Sequence, residues 1–189
     1  MNLPDPTNID TEQEAANALG ALNELNGKQI VLTADSFDEL GNYRPRGQDP
    51  TSEELIAGID ASLHILGGLG VVQFDHGLEV TGFGSIYTGE GTGLDVAGDI
   101  RCRRLSVCEM VLEGEKRTAQ GIRVGGHVHT RGSCLIGGDA LVTGTLRSDN
   151  RLVIGGSLFC ADFSARRTIT IGTGAVICEG APAFGPNTI

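Results

Sequence analysis

The chain has 189 residues, of which 40% are hydrophobic, only 4% are aromatic and none is Trp. Its core must therefore consist of small and branched aliphatic side chains. Residues 1–60 carry 12 acidic and 3 basic side chains (net −9), which leaves 12 acidic and 11 basic (net −1) for residues 61–189. This balance lacks the basic surface that nucleic-acid binding requires, so we expect no nucleic-acid partner.

Residues 1–65 predict an acidic N-terminal region with two short helices and one strand. Thr11 and Glu14 have capping-box spacing, and leucines then recur at helical intervals, which predicts a helix over about 11–26. Residues 29–33 alternate like a strand, and residues 42–49 form a loop. A second helix begins at Asp49-Pro50 and presents one apolar side, made of Leu55, Ile56, Ile59 and Leu63. Both helices are too short to be stable alone, so we expect them to dock on another surface.

A six-residue repeat follows, and it predicts an all-β fold, a single-stranded triangular β-helix, over residues 66–180. Of the 29 glycines, 24 lie after residue 60. From Val124 the sequence divides into VGGHVH, TRGSCL, IGGDAL, VTGTLR, SDNRLV, IGGSLF and CADFSA. Positions five and one are apolar and two residues apart, so in a strand both point inward while position six points outward. Three such strands would close a turn of about 18 residues.

The third position of each unit is predicted to be a corner. Glycine and asparagine tolerate a left-handed backbone there. The corner residues are Gly126, Gly132, Gly138, Gly144, Asn150 and Gly156. With an 18-residue turn, Val124, Val142 and Cys160 stack inside the coil, and Arg131, Asp149 and Arg167 form an outward ladder. Residues 181–189 contain two prolines and are expected to form a tail or cap.

The sixth position predicts a candidate interface. A solvated solenoid would place polar side chains there, but two of its faces carry bulky apolar ones instead. Contiguous exposed apolar patches usually mark contact surfaces. The candidate interface residues are Leu135 and Val153 on one face and Leu141 and Phe159 on another.

Three segments resemble bactofilins, polymer-forming bacterial cytoskeletal proteins: VAGDIRC (96–102), VTGTLRS (142–148) and ITIGTGAVICEG (169–180). The resemblance implies a right-handed β-helix that assembles end to end without a nucleotide. The predicted N-terminal helices depart from the short tail of that family, and such an element could block one polymerising end.

A second resemblance concerns enzymes. IGGDAL (136–141) and IGTGAV (171–176) look like the hexapeptide repeat of left-handed β-helix acyltransferases, which use a catalytic His between trimer subunits. The bulky Leu146, Leu152 and Leu158 depart from the small residues of that pattern. Since no carboxylate is apparent beside His127 or His129, we interpret both as surface side chains and expect no catalytic residue.

The remaining reactive side chains indicate no metal or cofactor site. No CxxC, GxGxxG or P-loop pattern occurs. The five cysteines are interpreted as small core side chains. A basic cluster of Arg101, Arg103 and Arg104, joined by Arg166 and Arg167, could meet an anion or the acidic N-terminal third of the same or a neighbouring chain, or form a solvated face.

These features predict a non-enzymatic structural or scaffold protein that acts through self-assembly, as a bactofilin-like filament or a defined oligomer. The alternatives are an acidic module that occupies a partner's surface and an acyltransferase-like enzyme. The expected partner is another copy or another protein. No signal-peptide pattern opens the chain, and no stretch approaches the ~20 apolar residues of a membrane span. We therefore expect a cytoplasmic location.

Overall fold

The computed structural model describes residues 28–107, 120–172, 175–179 and 183–184. Its strands stack in parallel as a β-solenoid with almost no helix, which confirms the predicted fold class. The chain passes three faces, here called A, B and C, in the same order on each turn. The handedness of the winding stays a prediction. Within the described residues, no helix has the length and apolar character needed to cross a bilayer.

Face A is a seven-stranded parallel sheet. Its strands are β1 (Gln29–Leu32), β2 (Ser62–Ile65), β5 (Ser85–Thr88), β8 (Arg104–Val107), β11 (Cys134–Ile136), β13 (Arg151–Ile154) and β15 (Thr168–Ile171).

Faces B and C are joined because two long strands, β12 (Ala140–Ser148) and β14 (Leu158–Ala165), run through the corner between them. Face B also contains β3 (Gly70–Phe74), β6 (Thr92–Val96), β9 (Ile122–Val124) and β16 (Val176–Cys178). Face C also contains β4 (Leu78–Glu79), β7 (Ile100–Cys102), β10 (Val128–Thr130) and β17 (Ala183–Phe184).

The predicted 18-residue register is confirmed on faces A and B. Val142 pairs with Val124 below it and Cys160 above it, and Cys134 pairs with Leu152. Inward side chains are removed from solvent almost completely; Leu152 is 0% exposed. Each fully buried aliphatic side chain contributes about 1.5–3 kcal/mol to folding. The stacked aliphatic columns are thus the core of the solenoid.

The last repeat unit departs from the prediction by one residue. Val142 pairs with Cys160, but Leu146 pairs with Phe163 and Ser148 with Ala165, so the register shifts at this corner. Phe163 therefore points inward and is 2% exposed. Burying its ring favours this shorter corner over an unbroken six-residue spacing. The expectation that all seven units keep register is wrong for CADFSA.

The stack extends further toward the N-terminus than residue 66, where the sequence placed its beginning. β1 and β2 pair in parallel with each other, and β2 pairs with β5. Glycine hexads do not reveal the first coil because residues 33–61 form a long excursion in place of its strands on faces B and C. Of the tail predicted at 181–189, the structure describes only β17, which pairs with β14. The helix predicted over 11–26 lies outside the described residues.

The second predicted helix is shorter than expected. Helix α1 (Ser52–Ala57) begins after Thr51, whose Oγ1 accepts from the Glu54 backbone N–H at 3.2 Å in a capping box. Gly58, with φ 102°, ends it. Leu63 instead lies in β2, because glycine in this backbone conformation stops the helix before the apolar stripe is complete.

The excursion closes the N-terminal end of the core. Asn42 bridges to Gln73 on face B, and Ile59 bridges to Val80 on face C. The Tyr43 ring lies 4.9 Å from that of Phe74, and its hydroxyl donates to the Pro50 carbonyl at 2.7 Å. Residues 33–61 therefore cap this end over two of the three faces.

Candidate interaction surfaces

An outward column on face B becomes apolar toward the C-terminal end of the stack. From the N-terminal end it runs Gln73, Asp95, Arg123, Leu141, Phe159 and Ile177. Leu141 is 43% exposed and Ile177 is 58% exposed, while Phe159 is half-buried between them. The structure thus places Leu141 and Phe159 in one continuous apolar strip.

A groove of about 580 Å³ lies beside this strip. Gly121 lines it, and Gly93 lies one rung below Gly121, so two positions of the neighbouring column have no side chain. A Cβ on Gly93 would lie 2.7 Å from the Gly121 carbonyl oxygen, so the depression is built into the backbone packing. The groove is lined by Val71, Leu94, Ile122, Leu141 and Phe159, with Asp95, Arg123 and Asp139 at its polar positions.

Face A carries the other two candidate interface residues. Leu135 pairs with Val153 in the outward column, and both are half-buried. Further down the same face, the His64 and Tyr87 rings lie 4.9 Å apart. The four candidate residues therefore form two separate surfaces on different faces, and their role as interfaces stays a prediction.

The predicted corner glycines are present for a different reason from the one expected. None of Gly126, Gly132, Gly138, Gly144 and Gly156 has a positive φ. Instead, a Cβ at Gly126 would collide with Asp99 Oδ1, and one at Gly156 would collide with Asp139 Oδ1. The expectation of left-handed corners at these glycines is wrong. Gly126, Gly144 and Gly156 provide space for a side chain from the coil below, whereas Gly132 lies against the Arg103 carbonyl.

These side chains form a corner ladder at each of two corners, which sequence reasoning missed: Asp99 lies at the B–C corner and Asp139 at the A–B corner. Asp99 Oδ1 accepts from the His127 backbone N–H at 2.8 Å, and Asp139 Oδ1 accepts from that of Ser157 at 2.7 Å. At the next rung of the B–C corner, His127 Nδ1 accepts from Thr145 N at 3.0 Å. The available signal was the polar residue that directly follows each glycine. At the C–A corner, Asn150 Nδ2 donates to Ser133 Oγ at 3.1 Å.

The two histidines that suggested an acyltransferase have different surroundings. His127 is held in the corner ladder, so its Nδ1 is an acceptor and its proton lies on Nε2. His129 Nε2 lies 3.6 Å from Asp149 Oδ2, and Arg147 Nε lies 3.3 Å from the other oxygen of that carboxylate. The sequence indicated no carboxylate here because Asp149 comes from the next coil.

The cysteines of the described part of the chain are free thiols, and three of them are buried in the core. Burial raises the pKa of Cys102 to about 12 and is also the main reason that the pKa of Cys160 rises to about 12. A protonated, buried thiol behaves as a small apolar side chain. The interpretation as core residues is confirmed for Cys102, Cys134 and Cys160, whereas Cys108 lies outside the described residues.

The predicted basic cluster is divided by the winding of the chain. Arg101 lies on face C, 3.0 Å from Asp99 and 3.9 Å from Glu79. Arg103 lies at the corner between faces C and A, with its guanidinium 5.1 Å from the centre of the Phe83 ring. Arg104 is the first residue of β8 on face A. Arg101 is thus neutralised locally and separated from the other two.

No protein-family model, curated protein or solved structure matches this chain. Among the described residues, no group of three or more His, Cys, Asp or Glu side chains is placed to hold a metal ion. Function must therefore be argued from the surfaces themselves.

Proposed function

We propose that this protein is a non-enzymatic scaffold that associates with further copies of itself through face B. The observation that carries the proposal is the apolar strip Leu141–Phe159–Ile177 together with its adjacent groove. Solvent-exposed apolar groups in register on three successive coils are unfavourable in an isolated solenoid, and covering them contributes about 25 cal/mol for each Å² removed from water.

The charges of this surface suit a second copy. Arg123 lies in the groove with Asp95 and Asp139, so the patch carries both signs. A two-fold interface places the same patch on itself, which can set Arg123 of one copy against an aspartate of the other. Such pairing gives orientation and specificity, while the apolar strip supplies the affinity.

The two ends of the solenoid favour a closed oligomer over a filament of the bactofilin type. End-to-end assembly needs both ends to be available, and residues 33–61 cover two faces of the N-terminal end. Among the described residues the C-terminal end is more open: Ile169, Ile171 and Cys178 are only half-buried, whereas Leu152, Ile154 and Cys160, one coil below, are buried. One covered end and one open end support a defined assembly.

The test is light scattering coupled to size exclusion, with electron microscopy of the same samples. We expect the wild type to be an oligomer of the 19.7 kDa chain and Leu141→Asp/Phe159→Asp to be a monomer. The matched control is Leu135→Asp/Val153→Asp, which puts two aspartates into the outward column of face A. This control should keep the oligomer. A monomeric wild type at high concentration contradicts self-association, and dissociation of the control alone contradicts the choice of face B.

The acyltransferase alternative has one supporting observation, the contact between His129 and Asp149. A carboxylate can orient an imidazole for general-base catalysis, although this one is shared with Arg147. Thermal-shift titration with coenzyme A distinguishes the two proposals. We expect no change in melting temperature, and a shift that is lost in His129→Gln would favour the enzyme.

A further inference from the structure

Six arginines that are scattered along the sequence form one ridge at the corner between faces C and A. The strand register aligns Arg103 with Arg131, then Asp149, then Arg166, on successive coils. The sequence predicted Arg167 at the last place, but the one-residue shift before Phe163 substitutes Arg166. We call this set the arginine ridge: Arg103, Arg104, Arg131, Arg151, Arg166 and Arg167.

The ridge has a large excess of positive charge. Six arginines and Asp149 give a net charge of +5. Asp149 already contacts His129 and Arg147. In the ranges that the structure describes, Arg103, Arg131, Arg151, Arg166 and Arg167 form no ion pair, and all five are exposed. Because rungs are spaced by about 4.8 Å, these charges repel one another unless an anionic group lies over them.

The chain itself enters the solenoid at this corner. β1 is the first strand of face A, and the Lys28 carbonyl that precedes it accepts from the Ser62 backbone N–H at 2.8 Å. Face A follows face C on the later coils, so Lys28, the first described residue, lies at the C–A corner. Residues 1–27 contain five acidic side chains and no Lys, Arg or His: Asp5, Asp10, Glu12, Glu14 and Glu24.

A depression with polar walls and two aromatic rings lies between this entry point and the ridge. This depression of about 210 Å³ is lined by Gln29, Ser62, His64, Phe83, Ser85, Tyr87 and Arg103. Phe83 is 80% exposed, apart from its contact with Arg103. Leucines at positions 19, 22 and 25, close to Lys28 in sequence, can pack on the Phe83 and Tyr87 rings of this depression. The distance is also suitable: six rungs from β1 to Arg166 span about 29 Å, which about 19 helical residues or far fewer extended ones can cover.

We propose that the arginine ridge is the docking surface for the acidic segment 1–27 of the same chain. The leucines nearest Lys28 occupy the depression at Phe83, and the carboxylates nearer the N-terminus lie along Arg131, Arg151 and Arg166. Docking neutralises the ridge and withholds it from other polyanions. The surface is separate from the apolar strip of face B, so this proposal is independent of self-association.

The test is hydrogen–deuterium exchange of the full-length protein, read by mass spectrometry over residues 1–27. In the wild type we expect exchange at least about tenfold slower than for an unstructured chain, at all protein concentrations. Arg131→Glu and Arg166→Glu should each bring the rate close to that of an unstructured chain, while Arg131→Lys should keep most of the protection. Salt at about 1 M should act like the charge reversals, because it screens exposed charges.

The matched control is Arg46→Glu, which makes the same charge change at an exposed arginine on the N-terminal cap. It should leave the protection of residues 1–27 unchanged, and circular dichroism should show an intact solenoid in every variant. Wild-type exchange at the unstructured rate overturns the proposal, as does equal loss in Arg46→Glu. Protection that appears only at high protein concentration assigns the segment to the ridge of another copy and overturns docking within one chain.

Discussion

Gly156→Ala tests the coupling between a corner glycine and the acceptor side chain of the coil below. The added Cβ would collide with Asp139 Oδ1 and lie 3.0 Å from two backbone atoms, Asp139 N and Gly138 C. Asp139 must then turn away and lose its 2.7 Å hydrogen bond from Ser157 N. A hydrogen bond to a charged group contributes about 1.5–3 kcal/mol, and the lower end applies to exposed Asp139. Crowding of the backbone adds about 1 kcal/mol.

We therefore expect Gly156→Ala to lower the free energy of unfolding by about 2–3 kcal/mol and Asp139→Ala to lower it by about 1–2 kcal/mol. Once Asp139 is absent, Gly156→Ala has no hydrogen bond left to break. The double variant should thus be less destabilised than the sum, with a coupling of about 1–2 kcal/mol. Urea unfolding followed by circular dichroism measures all four proteins.

The control combines Gly156→Ala with Asp95→Ala. Asp95 lies on face B three rungs from the Gly156 coil, about 14 Å away, so these two effects should add. If Gly156→Ala and Asp139→Ala are additive within about 0.3 kcal/mol, the glycine is not there to make room for the acceptor, and the account of the corner ladder is refuted.

Three further predictions concern the core and one titrating group. Phe163→Ala should lower the free energy of unfolding by about 3–5 kcal/mol because its ring is buried. Phe159 is only half-buried, so Phe159→Ala should lower it clearly less. Equal losses of the two variants in urea unfolding would contradict the register shift. Cys102 and Cys134 should react with a thiol reagent at pH 8 only after unfolding, since burial raises the pKa of both thiols; rapid labelling of the native protein, located by peptide mapping, would contradict their burial. Burial lowers the pKa of His64, so the unfolded chain binds more protons below about pH 6.5 and stability falls on acidification. His64→Gln should therefore lose less stability than the wild type between pH 7.5 and 5.5, and identical losses would refute this cause.

Much of the core was predictable from local pattern. The alternation around Val142 and Leu152 determines which side chains point inward, because neighbouring residues of a strand face opposite ways. The shift before Phe163 was not predictable in this way. It depends on whether the interior of that coil can accept a phenyl ring, which is a property of the packed turn rather than of the hexad.

The candidate surfaces were predictable only in part. Leu141 and Phe159 share the sixth position of their units, so their common column followed from the period. The N-terminal cap did not follow from it, since Asn42 and Ile59 reach their faces through an excursion with no repeat. Nor did the corner glycines by themselves reveal their role, because the side chain that approaches each of them belongs to another coil.

The sequence by itself determined that short strands and glycine corners alternate, and hence that the chain winds around an aliphatic core. Only the tertiary structure decided which residues of different coils meet. Asp139 reaches a residue 18 positions later, whereas Asp99 reaches one 28 positions later, although both make the same contact. Insertions and one-residue shifts change the number of residues in a turn without changing local preference, so the alignment of Arg103, Arg131 and Arg166 exists only in the wound chain.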